Sequence, residues 1–288
     1  MEANKEIKLF YWDESPNMGD MYNECLCKEL FGVTPISTSP GECEAAFCGS
    51  LLDDFLYQKP FPIFFPTSEQ DKKTIVHIWG AGFIADKWKC AIRYRKLLPE
   101  TYYRKVEVHA VRGVLSKKRL EKIIKTNLEN IPLADPGLLA SHFVKNNEKI
   151  YDVGIIPHHI EKDLQIFEKL KELGKVTFID VEKDPITCIS QIAQCKCVLS
   201  SSLHGLIFAD SLGIPNARLI ASNRLKGGNY KFQDYYSSYG DVKTKVYDIR
   251  KEVQISLDEV MTEYKIEKQL VEQKKEQLIE SFPKCFLR

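Results

Sequence analysis

The chain has 288 residues, 44% hydrophobic and 28% charged, with 41 Lys plus Arg against 40 Asp plus Glu and a net charge of +1. Such a length suits two domains of roughly 150 residues, each with its own core, and excludes global disorder and a disulfide-stapled miniature fold. Balanced charge argues against bulk nucleic-acid affinity, no apolar run approaches the about 20 residues of a membrane span, and no secretory h-region follows the opening residues.

In chain order, residues 7–12 (IKLFYW) read as a strand, 13–20 as a polar loop and 21–31 as a helix stopped by Gly32. Residues 44–47 and 74–79 (TIVHIW) read as strands, whereas the prolines in 59–65 argue against a central strand there. A strand over 106–111 leads to a helix capped by Ser116, and Asp135-Pro136-Gly137 reads as a turn. After a polar junction at 145–149, strands are expected at 151–156, 176–180, 197–200 and 217–220. Helices are expected at 163–173, 185–193 and 203–212. Two α/β series with ligand-type residues at strand ends predict two Rossmann-like domains facing across a cleft, over 1–145 and 146–255. Residues 256–280 read as one long helix with a capping box at Ser256 and Glu259, packing across the domains or at an oligomer contact.

The nine cysteines are odd in number and show no C-x-x-C pair, so reduced, buried thiols in a cytoplasmic protein are expected. Cys188, Cys195, Cys197 and His204 come nearest to a metal cluster, but Cys195-x-Cys197 is a poor tetrahedral chelate, and no metal is expected. The sharpest candidate site is Ser200-Ser201-Ser202-Leu203-His204-Gly205, where a strand gives way to a helix. Hydroxyls and free N–H groups there suit an anion, Gly205 allows close approach, and His204 can exchange a proton near neutral pH. Asn17 and Gly19 lie in the matching loop of the first series, with Asp20 either a base, a hydroxyl acceptor or a helix cap. Gly80 and Gly82 form only part of a dinucleotide loop, so a nicotinamide cofactor is not expected. Arg112, Arg224, Lys226 and Lys231 suit phosphate or carboxylate. His158 is the better inward-facing member of its histidine pair. Asp234, within 230–236 (YKFQDYY), fits either a sugar subsite or a loop packed on the core. Residues 86–125 carry 13 Lys plus Arg against 4 Asp plus Glu, a face that suits anionic membrane or plain solvent.

Taken in order, residues 17–20 with 30–32, 79–83 (WGAGF), 111–116 (VRGVLS), 134–138 (ADPGL), 156–159 (IPHH), 200–215 (SSSLHGLIFADSLGIP) and 230–236 resemble the polysaccharide pyruvyl transferase family, in particular its exopolysaccharide ketal-pyruvate branch. The resemblance implies paired Rossmann-like domains of the GT-B glycosyltransferase kind. It implies phosphoenolpyruvate as donor, a sugar of a glycan or lipid-linked oligosaccharide as acceptor, and no cofactor. It further implies that His204 is the general acid and Arg112 a ligand of the donor. Ser202 stands where many members carry Arg, which shifts donor binding toward Arg224, Lys226, Lys231 and the helix start. The expected location is the cytoplasm, at the inner face of the plasma membrane. A sugar-nucleotide glycosyltransferase and an inactive glycan-binding protein are the rival readings.

Overall fold

The computed structural model describes residues 5–56, 74–86, 104–144, 148–240, 242–252 and 254–287. The proline-rich stretch 59–65 and residues 87–103 of the basic stretch 86–125 lie outside the described residues. Among those described, ten strands form two five-stranded sheets, and every pairing is parallel.

The first sheet holds β1 (Lys5–Leu9), β2 (Val33–Ser37), β3 (Ala45–Ala46), β4 (Val76–Trp79) and β5 (Val106–Ala110), in the order β2-β1-β3-β4-β5. The second holds β6 (Tyr151–Ile156), β7 (Val176–Phe178), β8 (Cys195–Ser200), β9 (Asn216–Ile220) and β10 (Val246–Asp248), in the order β7-β6-β8-β9-β10. Each sheet therefore repeats the doubly wound order 2-1-3-4-5. The order reverses between β1 and β3 in one and between β6 and β8 in the other. Side chains and loops beyond the carboxyl ends of those strand pairs are where such sheets open a crevice. The central strands read as near-continuous apolar runs because helices cover both faces. In β8 (CKCVLS) only Lys196 is exposed.

The helices are α1 (Met18–Cys25), α2 (Leu52–Leu56), α3 (Val114–Ile124), α4 (Pro185–Ala193), α5 (Leu203–Ser211), α6 (Tyr230–Ser237), α7 (Leu257–Thr262) and α8 (Lys268–Ser281). Local chemistry sets several of their starts. Asp184 accepts from Thr187 N at 2.8 Å ahead of Pro185 at the first turn of α4, and Ser256 accepts from Glu259 N at 3.3 Å to cap α7. Beyond Cys25, the helix expected over 21–31 continues as a π turn, Leu26–Leu30. Residues 163–173 form a 3₁₀ run, Gln165–Glu172, and Asp135-Pro136-Gly137 opens another, Pro136–Phe143. No helix of the described residues is long and apolar enough to cross a membrane.

Two expectations are corrected. The long helix over 256–280 is broken between α7 and α8. Val260 buries in the core of the second sheet, and the break lets Tyr264 Oη donate to Asp210 at 2.8 Å while Ile266 enters the main core. Ser116 is not a cap: it lies inside α3, after Gly113 at the cap position.

One apolar cluster joins the halves, running from Ile7 and Tyr22 through Trp79 to Phe208 and Phe282. Main-chain Met18 N donates to Val181 O across the same boundary at 2.6 Å. Helix α8 bonds to both sides: Lys275 Nζ donates to Ser211 O at 2.9 Å, Lys274 Nζ to Leu133 O at 2.7 Å, and Trp79 Nε1 donates to Leu278 O at 3.0 Å.

A further tie between the halves is ionic. Helix α6 lies between β9 and β10 in sequence but packs against α3 of the first half. Arg112 and Asp234 are both fully buried, with Arg112 Nε donating to Asp234 Oδ2 at 2.9 Å. Arg112 Nη1 donates to Ser50 Oγ at 2.7 Å and Nη2 to Phe83 O at 2.5 Å. Asp234 also accepts from Ser116 N at 2.7 Å and Ser116 Oγ at 2.6 Å. A buried pair so fully bonded is costly to break from one side, because the remaining charge has no water to replace its partner. Asp234→Asn or Arg112→Met should each cost about 3–5 kcal/mol in urea unfolding. Arg112→Met with Asp234→Leu should cost clearly less than the sum of the two single changes.

Candidate active site

The two switch points face one pocket, about 490 Å³ in volume, whose wall draws on both halves. After β1 come Trp12, Asn17 and Asp20, and after β3 come Ser50, Asp53 and Asp54. After β6 come His158 and His159, after β8 come Ser202 and His204, and after β9 come Arg224, Lys226 and Lys231.

Asn17 caps α1, its Oδ1 accepting from Gly19 N at 3.1 Å. Because Asn17 takes that role, the Asp20 side chain is released from capping and turns into the pocket. His204 lies in the first turn of α5 and leans across onto Gly19. A Cβ on Gly19 would fall 1.8 Å from His204 Nδ1, so only glycine lets the ring and the α1 backbone meet. On its other side, His204 Nε2 is 3.3 Å from Cys48 Sγ, which lies 3.5 Å from Asp135 Oδ1. Asp135 in turn accepts from Gly137 N at 2.9 Å. Donor atoms of Cys48, Asp135 and His204 lie within 4.8 Å of one another, the spacing of a metal ligand set. Burial raises the Cys48 thiol well above its ordinary range, so it keeps its proton and links Asp135 to His204 by hydrogen bonding.

Burial dominates the electrostatics. It pushes the Asp20 carboxyl up to about 7, with Lys231 opposing. Burial and the nearby Arg112 bring the Lys231 ammonium down to about 8, with Asp20 opposing. Burial, then Lys231 and Arg112, hold His204 down at about 3, and similar causes hold His158 at about 2. Asp54 rises to about 6 through burial and its neighbour Asp53, against Lys226. At neutral pH the pocket presents neutral imidazoles beside cations, an arrangement that attracts an anion and becomes a better proton donor once the anion offsets those cations.

Of the residues singled out in the sequence, the structure brings Asn17, Asp20, His158, Ser202, His204, Arg224, Lys226 and Lys231 to the pocket wall. The others stand behind it and hold it in shape. Arg112 does not reach the lining, because its guanidinium is taken up by Asp234, Ser50 and Phe83 O. Asp234 belongs to that same buried pair, so residues 230–236 form a packed helix and not a sugar-facing loop. Gly82 makes room for Arg112, since a Cβ would lie 2.3 Å from its Cζ, and Gly80, at φ +83°, makes room for Pro136. Gly205 makes room for Ser200, whose Oγ donates within the turn to Ser202 O at 2.8 Å. Ser201 Oγ accepts from His158 N at 2.9 Å and fixes the β6 loop beside β8. Ser202 is the cap residue of α5 yet makes no capping hydrogen bond. Asp54 and Trp12, on the pocket wall, and Cys48, behind His204, carry no motif that marks them. Only the folded arrangement reveals them.

The chain matches the description "Polysaccharide pyruvyl transferase" over residues 5–223. It belongs to that family. The match runs from β1 through β9 and stops before α6, the helix that carries Lys231 and Asp234. An uncharacterized protein of Acanthamoeba polyphaga mimivirus is 32% identical over 254 residues, covering 82% of this chain and 75% of that protein.

The Asp20 shift has a definite sign. Its folded pKa, about 7, lies above the ordinary 3.8, so the contribution is full below pH 4 and is lost as pH rises through 7. Asp20→Asn should match the parent in thermal unfolding at pH 4 and exceed it at pH 8, by at most about 4 kcal/mol.

Proposed function

We propose that the protein moves the pyruvyl group of phosphoenolpyruvate onto two hydroxyls of one glycan sugar, forming a pyruvate ketal and releasing phosphate. The reading is carried by one observation: a proton-exchanging imidazole, a raised carboxyl and three cations share a pocket at both switch points. Residues 146–255 form the donor side. The phosphate and carboxylate meet Lys231, Arg224, Lys226 and the uncapped start of α5. Residues 1–145 form the acceptor side, and the two halves face each other across a cleft in the manner of GT-B glycosyltransferases.

The resting His204 is neutral because burial, and after it the charges of Lys231 and Arg112, disfavour its protonated form. A bound trianion offsets Lys231 and Arg112, so the imidazole takes up a proton as the donor arrives. His204 then protonates the methylene carbon of the enol, which becomes a methyl group, while the adjacent carbon gains oxocarbenium character. One sugar hydroxyl adds to that carbon, the C–O bond to phosphate breaks, and a second hydroxyl closes the ketal. Of the two hydroxyl protons, one replaces the proton given by His204 and the other leaves with phosphate. Asp20, poised near neutrality, relays one of these two protons and does not keep it. The cations stabilise the departing phosphate. A lipid-linked repeat unit as acceptor puts the reaction at the cytoplasmic face of a membrane.

On the acceptor side, Trp12 is 39% exposed and lines the pocket together with Asp54, offering an aromatic face beside a polar anchor. Trp12→Ala should raise the acceptor KM about 2- to 10-fold and leave the donor Kd unchanged in steady-state and binding measurements.

The deciding experiment incubates the protein with phosphoenolpyruvate and a panel of lipid-linked or synthetic glycosides. Acceptor-dependent phosphate release together with a mass gain of one pyruvic acid less one water supports the reading. His204→Ala should lower that rate by about 10²–10⁴ under saturating substrates. A hexose-sized gain that requires a nucleotide sugar would replace the reading with a glycosyltransferase.

A further inference from the structure

A second cluster of chemistry-bearing side chains lies away from the pocket, where the C-terminal segment crosses the first sheet. In the register of β4 with β5, His77 stands opposite Glu107, and Glu107 and His109, two residues apart, share one face of β5. His77 Nδ1 and His109 Nε2 are 3.0 Å apart. The carboxylate of Glu107 approaches His109 Nε2 at 3.5 Å and His77 Nδ1 at 3.9 Å. Cys285, in the 3₁₀ turn Lys284–Phe286, brings its thiol to 3.6 Å from His77 Nε2 and 4.0 Å from Nδ1. A cavity of about 500 Å³ opens over the group, also lined by Ser281 and Lys284.

We propose that His77, Glu107, His109 and Cys285 form a zinc site that fastens the C-terminal turn to the first sheet. With metal–nitrogen and metal–oxygen bonds of about 2.0–2.2 Å, a tetrahedral ion needs ligand atoms about 3.3–3.5 Å from one another, and about 3.5 Å to a thiolate sulfur. The spacings among the three sheet donors, which lie within 4.8 Å of one another, scatter around those values, and the Cys285 thiol, 4.0 Å from His77 Nδ1, closes on them by a small movement of its exposed turn. Two imidazoles, a carboxylate and a thiol form a mixed donor set of borderline softness, which suits Zn²⁺ over the hard cations Mg²⁺ and Ca²⁺. The imidazole side chains are mostly buried, at 15% and 18% exposed, whereas Glu107 is 57% exposed and leaves a way in for the ion. The placement also has a structural meaning. The ring of Phe286 packs edge-on against His77 with centroids 5.0 Å apart, so the turn already sits over the donors. None of the four residues lines the pocket assigned to catalysis, and the inference does not depend on the reaction proposed there.

The test uses full-length protein stripped with a chelator and dialysed. Zn²⁺ is titrated in competition with a chromophoric chelator, and Co²⁺ serves as a spectroscopic probe. The expected result is one equivalent bound, a higher Tm with Zn²⁺, and a thiolate-to-cobalt charge-transfer band. His77→Ala and His109→Ala should each weaken binding by more than the about 10- to 100-fold that loss of an outer-shell partner costs. Cys285→Ser, a mild change in an exposed turn, should remove the charge-transfer band. The other donor grouping among the described residues contains Cys48, so Cys48→Ser should leave both stoichiometry and band intact. Circular dichroism confirms that each variant is folded. The proposal is overturned if the parent fails to compete for Zn²⁺, which would leave a plain imidazole–imidazole hydrogen bond. It is equally overturned if binding survives both histidine changes, or if the band survives Cys285→Ser or disappears in Cys48→Ser.

Discussion

The buried pair of Arg112 and Asp234 sets the terms for the rest of the molecule. It joins a strand end of the first half to a helix of the second, and every polar atom of the pair has a partner. A charge pair in such surroundings contributes little net stability over a well-packed apolar substitute. What it supplies is position. Helix α6 is fixed against α3, and Lys231, three residues before Asp234, is thereby carried to the floor of the pocket. Ser50 accepts from Arg112 and also lines the pocket, so the wall rests directly on the clamp.

Position then becomes electrostatics. Arg112 never meets the pocket surface, yet its field helps to lower both Lys231 and His204. Placed behind the wall, a permanent charge primes the site for an anion without competing for it. Asp20 works against that field from α1, and the balance leaves one carboxyl and one ammonium titrating near neutrality. Shifts of this kind follow from burial of several ionisable groups in one place, which is the ordinary condition of a catalytic pocket.

Much of the architecture was legible in the sequence because its signals are local. The apolar run at 151–156 and the Asp184-Pro185 start of α4 need only neighbours a few residues away. The two parallel five-stranded sheets follow from the alternation of such segments. Short elements with weak signals were not readable: β2 carries a proline and β10 has three residues. Ser116 looked like a cap because the capping rule looks along the helix, but its partner Asp234 is 118 residues away. The glycines of the WGAG segment looked like part of a dinucleotide loop, but the atoms approaching them belong to Arg112 and Pro136. The same distance in sequence hid Cys48 and Asp135, 87 residues apart, and the donors of the His77 cluster. Residues that gather at the pocket through strand ends could be named in advance. Those that meet through tertiary packing could not.

The contact of His204 with Gly19 has one more meaning. The imidazole belongs to one half of the protein, and the bare backbone that seats it belongs to the other. Parting the halves would therefore remove the seat of the imidazole and change the surroundings that hold it neutral. The absence of a single methyl group thus makes the environment of one titratable ring depend on the apposition of two separately folded sheets.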